Sequence, residues 1–293
     1  MTRFLEDLVA GLSDGSIYAA IAVALVLVFR ASDTINFGQG EMATFSTYLG
    51  WVAIVELHWN YVLSVIIVLA ASFSLGVALQ VGLVRLVARQ SKFGLLLLTV
   101  GLFYLFNGLS TFVWGSGVKS FPSPAADRPL LVGGVLMNER SIVILAVTFV
   151  VLLLAYLFFR FTMVGLAMRA AATQPVDSSL VGVPVMRVQA IGWGLAALVG
   201  AVAGIVVAPV QFLEPDMMQT IIVFGFGAVV LGGADSLVGA VVGGLMLGCL
   251  LDFGTFLVPK LQALDTVVVL LVIVVVLTVR PNGLFGSPTA RRL

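Results

Sequence analysis

Uncharged apolar runs as long as the hydrocarbon core of a bilayer recur along this chain, and they dictate its solvent. The clearest is Ser141–Phe159, 19 residues without a charge. Similar segments fall at 8–29, 36–55, 61–84, 93–114, 141–159, 188–209, 219–231, 236–258 and 263–280, separated by polar or Gly/Pro clusters. A helix needs about 20 apolar residues to span the core, so the chain holds about eight to ten spans. Hydrophobic residues make up 61% of it and charged residues 10%, where a soluble domain carries about 25% charged. The expected fold is an all-α, polytopic transmembrane helix bundle forming a single domain over 1–293, with nothing left for a soluble domain. The segment at 219–231 is short and precedes Gly232-Gly233, as a half-helix would.

Composition excludes several functions. A net charge of +1 gives no basic field for nucleic acid. One cysteine, Cys249, forms no intrachain disulfide, and with the lone His58 it cannot make a metal-ligand set. The first apolar run is longer than that of a cleaved signal peptide and reads as a retained span. Lys and Arg gather on the cytoplasmic side of membrane proteins. With Arg85, Arg89 and Lys92 inside, alternation puts Arg30, Arg160, Arg169, Arg187, Arg280, Arg291 and Arg292 inside too, and leaves only Arg3, Lys119, Arg128, Arg140 and Lys260 outside. The loop at 160–187 is then cytoplasmic and the loop at 115–140 external. The external loop, with Pro122, Pro124, Pro129 and Gly133-Gly134, is expected to be irregular, with room for a short hairpin.

Glycines four apart (Gly11/Gly15, Gly200/Gly204, Gly239/Gly243, Gly244/Gly248) mark close helix contacts, because small residues one turn apart let backbones approach in lipid. Ionisable groups near spans are few: Asp14, Glu41, Asp235 and Asp252. A charge at membrane depth is costly and faces a cavity or a partner. No span holds the chain of such groups that an ion-coupled carrier needs. Polar character concentrates in Asp33-Thr34-Ile35-Asn36-Phe37-Gly38-Gln39-Gly40-Glu41. Asp33 can cap a helix here. Two readings stand: a broken helix lining a cavity, with Asn36, Gln39 and Glu41 on the route, or an interfacial helix start with Glu41 at a positive dipole end. Asp14, in Gly11-Leu12-Ser13-Asp14-Gly15-Ser16, is a further pathway candidate, or a surface residue. Between the spans, Gly165–Thr173 and Pro175–Val181 read as two short helices with Gly182 beyond the second, either a docking knob or a loop resting on the bilayer.

Four blocks carry a resemblance. Gly11-Leu12-Ser13-Asp14-Gly15-Ser16-Ile17-Tyr18-Ala19, Ile35-Asn36-Phe37-Gly38-Gln39-Gly40-Glu41, Arg169-Ala170 through Leu180-Val181-Gly182, and Leu231-Gly232-Gly233-Ala234-Asp235-Ser236-Leu237-Val238-Gly239 occur in order across nearly the whole chain. They resemble the smaller permease subunit of bacterial ABC importers for branched-chain amino acids. Two departures stand out: Ala234-Asp235 in place of a small-Gly pair, and Pro175 in the cytoplasmic loop. The resemblance implies a multi-pass protein of the bacterial inner membrane that forms a path for hydrophobic amino acids. It implies a second, different permease, two cytoplasmic ATPases and an external amino-acid-binding protein as partners. No cofactor is expected: the chain has no Gly-x-x-x-x-Gly-Lys-Ser/Thr loop, so ATP would be bound and hydrolysed by the partner subunits, and this chain would not be an enzyme. Arg169, Ala170, Ala171, Asp177, Leu180 and Gly182 would then couple it to the ATPase. Other small solutes such as urea, amides or sugars, or a passive channel, are the alternatives.

Overall fold

The computed structural model describes residues 2–88, 90–125, 128–132 and 135–286; Arg89, Gly133, Gly134, Arg291 and Arg292 lie outside the described residues. The helices are α1 (Thr2–Ser32), α2 (Gln39–Trp51), α3 (Tyr61–Leu79), α4 (Arg85–Ala88), α5 (Lys92–Trp114), α6 (Glu139–Phe161), α7 (Met163–Thr173), α8 (Pro175–Leu180), α9 (Val185–Gln211), α10 (Gln219–Gly232), α11 (Leu237–Leu257) and α12 (Asp265–Val279). A π-helical turn extends α2 to Glu56, and another joins α3 to α4. A hairpin of β1 (Pro129–Val132) and β2 (Val135–Asn138) occupies the 115–140 loop. Among the described residues seven helices are long and apolar enough to cross a membrane. The other two expected segments form the 13-residue α2 and the 14-residue α10.

Helix starts follow short polar side chains that accept a bond from the otherwise unpaired first-turn N–H groups. Asn60 accepts from the Val62 and Leu63 amides, Ser91 from Gly94, Thr162 from Gly165 and Ser236 from Gly239. Asp33 does not play this part. It ends α1 at a left-handed φ of 52°, and α2 begins six residues later behind Gly38. No side chain caps α2; the turn before it is held locally, the Gly38 amide donating to Asn36 Oδ1 at 3.0 Å.

The chain divides into two compact units. In the unit of residues 24–122 and 153–219, α9 is the centre. Its face from Gly192 through Gly204 is almost wholly buried. α3 runs antiparallel against it, with Gly76 on the Trp193 carbonyl and Gly194 under the Phe73 ring. α2 runs alongside it, so that Gly200 meets the Gln39 amide, and Gly204 meets the Thr47 hydroxyl and the Ala43 carbonyl. A Cβ at Gly204 would collide with both atoms. Aromatic contacts hold α2 to α5: Tyr48 stacks on Trp114 at 4.7 Å, and Phe45 lies 5.3 Å from Phe106.

In the unit of residues 1–23, 123–152 and 220–293, the first half of α1 lies on α11. Gly244 seats against Ala19, and Gly248 against the backbone of Gly11 and Gly15. On another side α11 meets α10, Gly239 against the Gly232 carbonyl and Gly243 against the Ala228 carbonyl. Phe224, Leu247, Leu251 and Val269 form an apolar core over which Tyr18 stands edge-on to Phe224. The C-terminal end of α10 is closed from far along the chain. Gly233 turns left-handed at φ 109°, Leu284 donates its amide to the Leu231 carbonyl at 2.9 Å, and Phe285 donates to Gly232 at 3.0 Å. Asp235 stands beside Gly286 in this turn.

Gly204→Leu should prevent the seating of α2 on α9. We expect little monodisperse protein after detergent extraction, since forcing a large side chain into a filled contact costs about 1–3 kcal/mol or more. Gly101→Leu, where an added Cβ meets nothing within 4 Å, should extract normally. Size-exclusion profiles of the two variants check this.

Candidate functional site

The interruption between α1 and α2 is placed in packed protein rather than at an interface. Asn36, Gln39 and Glu41 are all buried, and the first turn of α2 lies against the middle of α9 and of α5. The interfacial reading of this segment is therefore set aside, because its neighbours are helix interiors: Gln39 touches Ala196, and Gly38 seats on Leu102 and Phe103. Asn36 and Gln39 spend their polar groups internally. Asn36 Nδ2 donates to Gln39 Oε1 at 3.1 Å, and Gln39 Nε2 donates to the Ala196 carbonyl at 2.9 Å. The Thr99 hydroxyl on α5 donates to the Leu96 carbonyl at 2.8 Å and lies 3.3 Å from the Ile35 carbonyl, a backbone group at the break. These groups brace the broken helix.

Glu41 is different. It is 1% exposed, and its Oε2 accepts from Asn107 Nδ2 at 3.3 Å. Its Oε1 is buried with no hydrogen-bond partner among the described residues. Asn107 lies on α5 and also donates to Asp216 Oδ1 at 2.7 Å and to the Pro215 carbonyl at 3.4 Å. Gln219 Nε2 donates to the same Asp216 oxygen at 2.6 Å. The Glu214-Pro215-Asp216 segment reaches this position because α9 ends at Phe212 in a left-handed conformation, φ 62°, and the next residue, Leu213, pairs through its backbone with Lys119. One turn short of the C-terminal end of α2, the buried Tyr48 hydroxyl also has no partner among the described residues, and it feels the charges of Glu214 and Asp216. The result is a graded polar cluster: Asp216 exposed, Asn107 and Gln219 half-buried, Glu41 enclosed.

The remaining candidates lie elsewhere. Asp14 belongs to the other unit and is exposed on α1. In the 160–187 loop, α7 folds back with Gly165 against the Phe158 and Phe159 carbonyls, and Met168 inserts against Gly192 of α9. Arg169 and Ala170 are half-buried, Ala171 is buried, and Asp177 is exposed. Leu180 and Val181 are 80% and 81% exposed, ahead of Gly182 at φ 87°. Asn107, Tyr48, Asp216 and Gln219 were not foreseen. The signals were present: an Asn in the middle of an apolar helix, and a Glu-Pro-Asp break after a span.

Gln39→Leu should remove two buried side-chain bonds, the one it donates to the Ala196 carbonyl and the one it accepts from the Asn36 amide, at a cost of about 1–3 kcal/mol. We expect a lower unfolding temperature in detergent than for Asn107→Leu, whose amide is half-buried; differential scanning fluorimetry compares the two.

Comparison with known proteins follows the same extent. Residues 8–277 match the family described as branched-chain amino acid transport system, permease component. The high-affinity branched-chain amino acid transport system permease protein BraD of Pseudomonas aeruginosa is 29% identical, over 99% of this chain and 98% of its own length. The corresponding LivH protein of Escherichia coli K12 is 27% identical over the same shares. The xylose/arabinose import permease protein XylH of Sulfolobus acidocaldarius is 31% identical over 64% of this chain and 53% of its own. With its seven long apolar helices and a family match over almost its entire length, the chain is a multi-pass membrane protein and belongs to the permease components of branched-chain amino acid transport systems.

Proposed function

We propose that this chain forms half of the route by which an ATP-driven ABC importer carries branched-chain amino acids across the inner membrane. The observation that carries this is the end-to-end match to permeases named for that cargo, covering 99% of this chain and 98% of its relative. The complex would contain a second, different permease, two cytoplasmic ATPases that bind and hydrolyse the ATP, and an external amino-acid-binding protein. ATP-driven closure of the ATPases pushes on 160–187, and the bundle exchanges an inward for an outward opening. The α7–α8 knob suits a grip of this kind. It presents Leu180 and Val181 to water, where apolar side chains are costly unless a partner covers them, and Met168 and Gly165 tie it to α9 and α6. Arg169, Ala170, Ala171, Asp177 and Gly182 are its coupling residues. A route of this type needs brief, weak contact with its cargo. Asn36 and Gln39 brace its wall, and Glu41 faces the polar cluster. Asp14 is a pathway candidate only if its exposed flank meets the partner permease.

The match to a sugar permease supports a second cargo class, sugars or another small solute. Uptake of leucine, isoleucine, valine, xylose and urea by the reconstituted complex separates the two: the first three should accumulate with ATP and the last two should not. Arg169→Glu and Gly182→Trp should leave the complex intact and its ATPase active while uptake falls at least about tenfold, a loss of roughly 1.4 kcal/mol of coupling. Uptake and ATP hydrolysis measured in the same proteoliposomes check this. Glu41→Gln should also lower uptake, with ATP hydrolysis retained.

A further inference from the structure

The geometry points to a recognition site for the ammonium group of the transported amino acid, built from Glu41 and Asp216 around Asn107; this deepens the transport reading above and rests on it. Hydrogen-bond supply carries the argument. Asn107 has two amide hydrogens and faces three acceptors: Glu41 Oε2, the Pro215 carbonyl and Asp216 Oδ1. Gln219 donates to the same Asp216 oxygen and also serves the Glu41 side chain. Glu41 Oε1 accepts nothing although it is fully enclosed. One buried carboxylate oxygen thus remains without a hydrogen.

Charge points the same way. Among the described residues neither Glu41 nor Asp216 has a basic partner, and the ammonium of Lys119 is engaged over the Trp51 ring at 4.4 Å. A buried carboxylate without a counter-charge is expensive. A primary ammonium brings one positive charge and three N–H donors, the two quantities in deficit. Access is graded as a site for a passing ligand requires. Asp216 is exposed, and a carboxylate facing hydrocarbon would be unfavourable, so its flank meets water. Asn107 then leads inward to Glu41.

The test uses the complex of both permeases and both ATPases in lipid nanodiscs, without binding protein, with competition against radiolabelled leucine at equilibrium. Two leucine analogues separate its ends: 3-methylbutylamine keeps the ammonium and 4-methylpentanoate keeps the carboxylate. We expect the amine to displace leucine and the acid not to. Glu41→Gln, which is isosteric, and Asp216→Asn, which is exposed and cannot perturb a core, should each weaken leucine and amine binding about tenfold. Equal displacement by both analogues, or unchanged binding in both variants, overturns the assignment. So does binding that vanishes when sodium is replaced by choline, which would make the cluster an inorganic-cation site. In a second set of nanodiscs with binding protein added, weakened docking of that protein by the two variants while leucine binding stays intact would overturn it too, since the cluster would then receive a basic side chain. Wild-type uptake of leucine is measured in parallel: if it is absent, the transport reading itself fails, and if it is normal while the variants bind normally, only the ammonium assignment fails.

Discussion

Every interrupted helix in this protein must find partners for its freed backbone inside the protein, because lipid offers none. That demand organises the two breaks. Between α1 and α2, the Asn36 side chain accepts from Gly38, Gln39 reaches the Ala196 carbonyl and Thr99 reaches the Ile35 carbonyl. At the end of α10, the carbonyls of Leu231 and Gly232 accept from Leu284 and Phe285. Both breaks are fully tied, so each is a fixed feature of its unit. Within the first of these breaks, the Glu41 Oε1 atom is the buried side-chain oxygen that no described donor meets.

Close approach supplies the second constraint. Leucine on one helix gains little by touching leucine on another when the alternative is a lipid tail, so contact has to come from backbones meeting at short range. Gly200 and Gly204 allow this for α2 on α9, Gly76 for α3, and Gly244 with Gly248 for α1 on α11.

Much of the helix plan was legible because apolar runs, polar breaks and Ser/Thr/Asn starts are local signals. All nine expected segments are helical, and α7 and α8 lie where Ala-rich and Pro-led stretches put them. The small-residue pairs could be read as contacts, but not which helix each would meet, since Gly239 and Gly243 choose α10 while Gly244 and Gly248, on the same helix, choose α1. Asp33 misled because a cap is recognised only once the helix start is known, and the intervening residues Thr34–Gly38 form an irregular turn. The cluster around Glu41 was half visible. Its own block is conspicuous in sequence, but Asn107 and Asp216 join it from 66 residues away and beyond through tertiary folding, which no local pattern encodes.

The tie between α10 and residues 284–285 bears on how the molecule is made. Membrane helices leave the ribosome in order, and α10 is inserted well before those two residues emerge. Until then its last carbonyls lack their eventual donors, and the half-helix has no fixed inner end. Biogenesis of this unit is therefore completed post-insertionally: the break acquires its native shape only after the next two helices, α11 and α12, have been threaded and the segment behind them has swung back beneath it.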